Sequence, residues 1–436
     1  MSEKISIFWF RRDLRLEDNV GLYSALKDSF PVLPIFIFDE EILENLSKDD
    51  PRVGFIYDRL QQMRSQLQQE FNSSLALFYG KPKEIFQNLL QNYQVQQVIA
   101  NRDYEPYARR RDEEISTILT KNKLVFKTYK DQVIFEKDET VKSDGNPYLV
   151  YTPYKNKWQT QFNEKYHLNK SNSEEHLKNL VQNSRLPNVS LSDIGFTTAT
   201  IKVPEYSLNS KLINNYEDTR NFPDIENGTS RIGPHLRFGT VSIRQVMKKA
   251  IAENNHVFWS ELIWREFFMQ ILWHFPNTVK DAFKPKYDRI VWRNNEKEFE
   301  KWKKGETGYP MVDAGMHELN ATGYMHNRVR MLVASFLCKH LLIDWRWGEA
   351  YFAEKLLDYE MSSNVGNWQW AAGCGVDAAP YFRIFNPMTQ ADKFDKDGKY
   401  IKNWIPDLDN LSYPEKMVDH KEARERCLKV YKEALE

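Results

Sequence analysis

The chain has 436 residues, 41% hydrophobic and 28% charged, with Lys+Arg and Asp+Glu balanced at 61 each. That composition is globular, and the length exceeds one ordinary core, so two or three domains are expected. A net charge of zero excludes a chain that binds nucleic acid by bulk charge, leaving only a local basic patch for that purpose, and the longest apolar runs fall far short of the roughly 20 residues of a membrane span.

The N-terminus MSEKISIFWFRRD lacks a basic-then-apolar export pattern, and its apolar run reads as a first strand, residues 5–10. A helical stretch VGLYSALKD follows, then a strand at 32–39, a long amphipathic helix at 53–71 and a strand at 75–80. A helix at 83–93, the strand VQQVIANRDY, a helix at 107–120 and the strand LVFKTY complete the set. This alternation predicts a doubly wound parallel sheet of five strands with right-handed crossovers, an α/β domain over 1–130. FRRDLRLEDN, not GxGxxG, follows the first strand, which disfavours a dinucleotide-binding Rossmann domain. Ligands are still expected beyond the strand C-termini, near Arg11 to Asp13, Asp39 and Asp103 to Glu105. Residues 131–210, rich in Asn, Lys, Ser and Asp, read as a connector with a short helix at 154–164. From 211 to 436 the period is helical throughout, as in FWSELIWREFFMQILWHF, so a large all-helical domain is expected. Cys338, Cys374 and Cys427 are scattered and form no CxxC. They predict neither a disulfide framework nor a metal site, and they suit a reducing cytoplasm.

Four helical segments carry candidate chemistry. In GTSRIGPHLRFG, Thr229 and Ser230 precede a helix start and suit a pyrophosphate, although taken alone the segment reads better as a plain capped helix. In SELIWREFF, Glu261 and Trp264 share a helix face, either as a carboxylate and plate for a base or as rim and core. Arg328 and Arg330 of GYMHNRVRM, with Asp358 and Glu360 of LLDYEMSSN, offer either a pair that orders a ligand ring or an interhelical salt bridge. In NWQWAAG, Trp368 and Trp370 lie two apart and point roughly 200° away from each other on a helix. Ten of the twelve tryptophans lie from Trp259 onward. Indoles are oxidisable, so a spaced series of them either carries an electron or simply packs.

Taken in order, FWFRRDLRLEDN, GTSRIGP, ELIWREFF, GYPMVDAGM, GYMHNRVRM, LLIDWRWGE and NVGNWQWAAGCGVDAAPYFRIFNP resemble the DNA photolyase/cryptochrome family over nearly the whole chain. The likeness is strongest at 229–387 and is nearest to class I cyclobutane pyrimidine dimer photolyases. It implies FAD in the helical domain and blue-light-driven electron transfer from reduced FAD to a flipped-out dimer in damaged DNA. It assigns Tyr216, Thr229, Ser230, Arg231 and Gly233 to the phosphates and ribityl chain, Arg330 and Asp358 to the flavin edge, and Asn364 to the position opposite N5. Glu261, Trp264, Asn327, Met331 and Trp370 match the dimer pocket. Arg220 and Arg328 are phosphate candidates, with Arg383 beside them. Trp368, Trp345 and Trp292 match a photoreduction chain, proximal to distal. Two positions depart from the family: Glu360 stands where aspartate is usual, and Phe258 takes the place of a flavin-contacting tryptophan. Ala108 stands where folate-binding members have glutamate, so Asp103 and Glu105 suggest a deazaflavin- or flavin-type antenna rather than folate.

The expectation is therefore a monomeric cytoplasmic deoxyribodipyrimidine photo-lyase that needs no membrane. A cryptochrome-like photoreceptor is the alternative, and Asn364 with the intact Glu261/Trp264/Trp370 set argues against it. A (6-4) photolyase needs a histidine pair that GYMHNR lacks. A metabolic flavin oxidoreductase would instead show a small-substrate pocket.

Overall fold

A computed structural model describes residues 3–408 and 411–436. It divides the chain into two compact units, each discontinuous in sequence. The first comprises the chain up to Glu136, Gln161–Tyr206 and Ile232–Ala252; the second comprises Lys137–Thr160, Ser207–Arg231 and the chain from Glu253 onward.

The first unit is built on a five-stranded, wholly parallel sheet of β1 (Lys4–Phe10), β2 (Val32–Asp39), β3 (Ala76–Gly80), β4 (Gln94–Asn101) and β5 (Val125–Tyr129), in the order β3-β2-β1-β4-β5. Every residue of β2, and all of β1 but Lys4, is buried. Helices cover both faces of such a sheet, so its central strands read as unbroken apolar runs rather than alternating ones. The helix expected at 53–71 begins two residues earlier, as Pro51–Phe71. Asp50 caps it by accepting from Arg52 N, and proline suits the first turn, whose N–H groups lack intrahelical partners.

The connector read over 131–210 is not a separate piece. Within the first unit Val181 N donates to the Val32 carbonyl and Leu77 N to the Pro187 carbonyl, both at 2.9 Å, while Leu177, Leu180, Ile194 and Phe196 are buried. In the second unit the helix forms at Tyr151–Gln161 rather than at 154–164, and Trp158 Nε1 donates to Glu266 at 2.6 Å. Polar composition hides these few, widely spaced apolar anchors. Residues 232–252, expected in the helical domain, cluster with the sheet. There Arg244 is buried and pairs with Asp18 at 3.1 Å and Asp131 at 2.9 Å.

The second unit is all helical around a core that includes Trp302, Tyr309, Phe336, Trp345 and Trp368. Its site-bearing helices are His256–His274, Asn327–Ser335, Trp345–Lys355 and Met361–Ala372. Two glycines let the last approach its neighbours. A Cβ on Gly348 would lie 2.1 Å from the Trp368 ring, and one on Gly366 would lie 2.3 Å from Phe268. No described helix is long and apolar enough to cross a membrane.

Candidate functional site

The second unit holds a cavity of about 580 Å³ between the Asn327–Ser335 and Met361–Ala372 helices. Eight residues singled out in the sequence line it: Asn327, Arg330, Met331, Asp358, Glu360, Asn364, Trp368 and Trp370. Arg330 grips Asp358 through two bonds of 3.1 and 2.9 Å, and its Nε donates to the Met325 carbonyl at 2.7 Å. Burial opposes the Arg330 charge, but Asp358 outweighs it and holds the guanidinium above its usual pKa. The Asn364 amide nitrogen donates to the Glu349 carbonyl at 3.0 Å and to Glu349 Oε1 at 2.9 Å. With its NH2 engaged in this way, Asn364 has its carbonyl oxygen free for a ligand. Burial pushes the Glu349 carboxyl up.

Helical geometry explains the two tryptophans of NWQWAAG. At about 100° per residue, 360, 363, 364, 367, 371 and 368 fan out from 370 across an arc of about 160°. All of them line the cavity. Trp368 and Trp370 therefore stand at opposite edges of one ligand-facing surface. Trp368 is buried edge-on to Phe352 at 4.9 Å, whereas Trp370 is half-buried.

A second group forms along the His256–His274 helix. Glu261 pairs with Arg220 at 2.5 Å, and burial, only partly opposed by Arg220, raises the Glu261 pKa. Trp264 stacks on Tyr151 at 3.6 Å and 8°, and lies 5.6 Å from Phe268, the ring that meets Gly366. Phe258 is buried edge-on to Tyr216 at 5.0 Å. Arg328 donates to Asn221 Oδ1 at 2.5 Å and lies 4.3 Å over Phe394. Burial, Arg220 and Arg383 all lower its pKa, as expected for a patch of like charges.

Around Tyr324 the geometry suits an anion. Arg231, at φ +55°, lies 3.4 Å over the Tyr324 ring, and Thr229 Oγ1 is 3.3 Å from the Tyr324 hydroxyl. Ser230 is buried, and its carbonyl accepts from Ser207 N at 2.9 Å. Buried His326 uses Nδ1 to accept from Arg328 N, which assigns its proton to Nε2, and Nε2 has no partner among the described residues. Burial lowers the His326 pKa to about 4, and Arg231, Arg330, Arg328 and Arg220 add to the effect. An unmatched buried donor in a neighbourhood of arginines, beside a cavity with an aromatic wall and an Arg–Asp edge, fits a flat cofactor bearing phosphates. Gly233 opens the six-residue helix Gly233–Phe238 in the first unit.

Trp345 is fully buried in the same core as Trp368, and Trp292 is half-buried, edge-on to Tyr431 at 6.1 Å. Among the described residues, the indole in ring contact with Trp368 is Trp302, with centroids 6.2 Å apart. Sequence reasoning missed Trp302, Tyr151 and Glu349. Tyr151 was hidden in the polar connector. Glu349, four residues after Trp345 in LLIDWRWGE, had a legible signal in its helical spacing.

In the first unit, Asp103 pairs with Arg12 at 3.1 Å, and Glu105 pairs with Arg12 at 3.2 Å and Arg237 at 3.0 Å. Burial opposes the Asp103 charge, but Arg12 and three further arginines hold its pKa well below the usual range. Both carboxylates are thus engaged by arginines, and Asp103 lines a recess of about 200 Å³. Among the described residues, no group of three or more His, Cys, Asp or Glu is placed to hold a metal.

The geometry can be set beside known proteins. The family described as the FAD binding domain of DNA photolyase matches residues 258–412, and the one described as DNA photolyase matches residues 6–173. A deoxyribodipyrimidine photo-lyase of Halobacterium salinarum is 36% identical, over 99% of this chain and 99% of its own. A bacterial class III photolyase from Agrobacterium tumefaciens superposes with a TM-score of 0.88 at 31% identity, covering 100% of this chain and 98% of its own. An archaeal photolyase from Sulfolobus tokodaii, solved with two FAD molecules, gives 0.82 at 33% identity, over 98% and 100%. The chain belongs to the DNA photolyase family, with an FAD-binding domain in its helical half.

Proposed function

We propose that this chain repairs cyclobutane pyrimidine dimers in DNA, using blue light and FAD. The observation that carries the reading is the single cavity joining the Arg330–Asp358 pair, Asn364 and the half-buried Trp370. FAD, when bound, supplies light absorption and one-electron chemistry; the protein supplies position and electrostatics.

In this reading Arg330 and Asp358 hold the edge of the flavin ring, Glu360 borders it, and Asn364 presents a carbonyl oxygen in an orientation held by Glu349. Tyr216, Thr229, Ser230 and Arg231 serve the phosphates and ribityl chain, with Phe258 packed against Tyr216, and His326 Nε2 is a further donor for that end. Trp370 and Trp264 offer faces to an extruded dimer, flanked by Asn327 and Met331. Extrusion costs a few kcal/mol, and stacking returns roughly 1–3 kcal/mol per base. Glu261 faces the thymine edge. It can accept from that edge or, if protonated, donate to a carbonyl where negative charge develops, and burial, which raises its pKa, eases that protonation. Arg220, its present partner, and Arg328 and Arg383 form the local basic patch for flanking phosphates that a chain of zero net charge requires. Trp292, Trp345 and Trp368 carry an electron inward from the surface to the cavity. Three buried free cysteines suit a reducing cytoplasm, where the chain acts as a monomer.

The test is direct. Reduced protein mixed with DNA containing thymine dimers and lit with blue light should remove the dimers. Intact flavin photoreduction without any dimer loss would sink the reading and favour a photoreceptor.

A further inference from the structure

The first unit holds a recess that no role above uses. An open cleft of about 320 Å³ lies between the Pro51–Phe71 helix and residues 199–206, with His235 and Thr240 also in its wall. Part of that wall is aromatic. The His235 ring sits 4.6 Å from Tyr206 and edge-on to Phe55, at 5.5 Å and 87°. Both its nitrogens are committed, to Thr240 Oγ1 and to the Pro204 carbonyl, each at 2.9 Å. Burial keeps its pKa below the usual value. His235 is therefore a fixed neutral plate rather than a proton carrier.

The cleft also holds a cation without a counter-ion. Arg59 is half-buried; its Nε donates to the Leu14 carbonyl at 2.9 Å, and Nη1 lies 3.4 Å from Gln62 Oε1. No carboxylate pairs with it among the described residues. Burial pushes its pKa down and Arg15 pushes the same way, against an opposing contribution from Tyr206. Asp58, Glu205 and Lys202 are exposed at the rim. A partly desolvated guanidinium with spare N–H groups gains when an anion joins it, and its planar fork matches a phosphate. The recess is in the size range of small-molecule sites.

We infer that this cleft binds a flat ring carrying one phosphate, a ligand of the nucleoside monophosphate class, with the ring against Phe55, Tyr206 and His235 and the phosphate on Arg59. The experiment is equilibrium dialysis of the full-length, FAD-loaded protein against AMP, adenosine and inorganic phosphate in parallel. AMP should be retained at one per chain and more tightly than adenosine or phosphate alone. Arg59→Gln should weaken AMP by about tenfold or more, with little change in adenosine binding and in dimer repair. No retention of AMP by the FAD-loaded wild type, equal retention by Arg59→Gln, or phosphate bound as tightly as AMP would each overturn the assignment. If Arg59→Gln loses FAD or its helical signal, Tyr206→Ala decides instead: AMP and adenosine should weaken together, and unchanged AMP binding overturns the inference.

Discussion

Trp264 shows how one residue's surroundings change what its loss should do. Its indole is stacked face to face on Tyr151 and lies 5.6 Å from Phe268, yet it is only half-buried, so part of the ring is left for a base. Trp264→Ala should cost roughly 1–3 kcal/mol in affinity for dimer-containing DNA, measured by filter binding, while FAD content stays at wild-type level. Loss of FAD from that variant would mean the ring belongs to the cofactor wall. Trp292 does not line the cavity and packs against Tyr431. Trp292→Phe removes an oxidisable indole and keeps an aromatic ring against Tyr431. It should slow photoreduction of oxidised flavin and leave repair by pre-reduced protein unchanged. Equal photoreduction rates would point to a route through Trp302, the indole that touches Trp368.

The Met361–Ala372 helix owes its place to what it lacks as much as to what it carries. Gly348 on the facing helix leaves room for the Trp368 ring, which fills the gap between Phe352 and Trp302. Gly348→Val would drive a branched side chain into that ring. Overpacking of this kind costs about 1–3 kcal/mol, so a lower melting temperature and weaker FAD retention are expected together, by thermal scan and flavin absorbance. An unchanged melting temperature would show that the Trp345–Lys355 helix can shift without cost. The same packing holds Glu349 against Asn364, so a disturbed helix pair also loses the orientation of the amide.

For the whole molecule, buried histidines set an acid limit. Burial lowers the pKa of His340 to about 3 and of His326 to about 4, and nearby cationic groups reinforce both shifts. In the unfolded chain both titrate near 6.5. As pH falls below about 6.5 the unfolded state takes up protons that the folded state refuses, so stability declines progressively toward pH 4 and below. A melting temperature that falls from pH 7 to pH 4.5, with a shallower slope in His340→Asn, is the expected result. An identical slope in that variant would assign the acid sensitivity to other groups. The balanced charge also bears on DNA binding. With no bulk positive field, salt dependence should reflect only the few phosphates met by Arg220, Arg328 and Arg383.

Much of the fold was legible because it rests on local patterning. Continuous apolar runs separated by helical periods determined the parallel sheet, and the long apolar-periodic segments after residue 255 determined the helical unit. The motif phrases determined the family and nominated the Arg330–Asp358 pair. Tertiary structure alone decided the rest, because it depends on pairings between distant residues. Arg244 draws residues 232–252 to the sheet through Asp18 and Asp131, more than 100 positions away. Tyr151 meets Trp264 across a similar gap, Glu349 turns the Asn364 amide, and Asp103 and Glu105 are taken by arginines. Helical periodicity placed Trp368 and Trp370 on different sides of one helix. Only the packing of neighbouring helices made the surface between them the wall of a cavity, since a sequence period gives direction along a helix but not what stands opposite it.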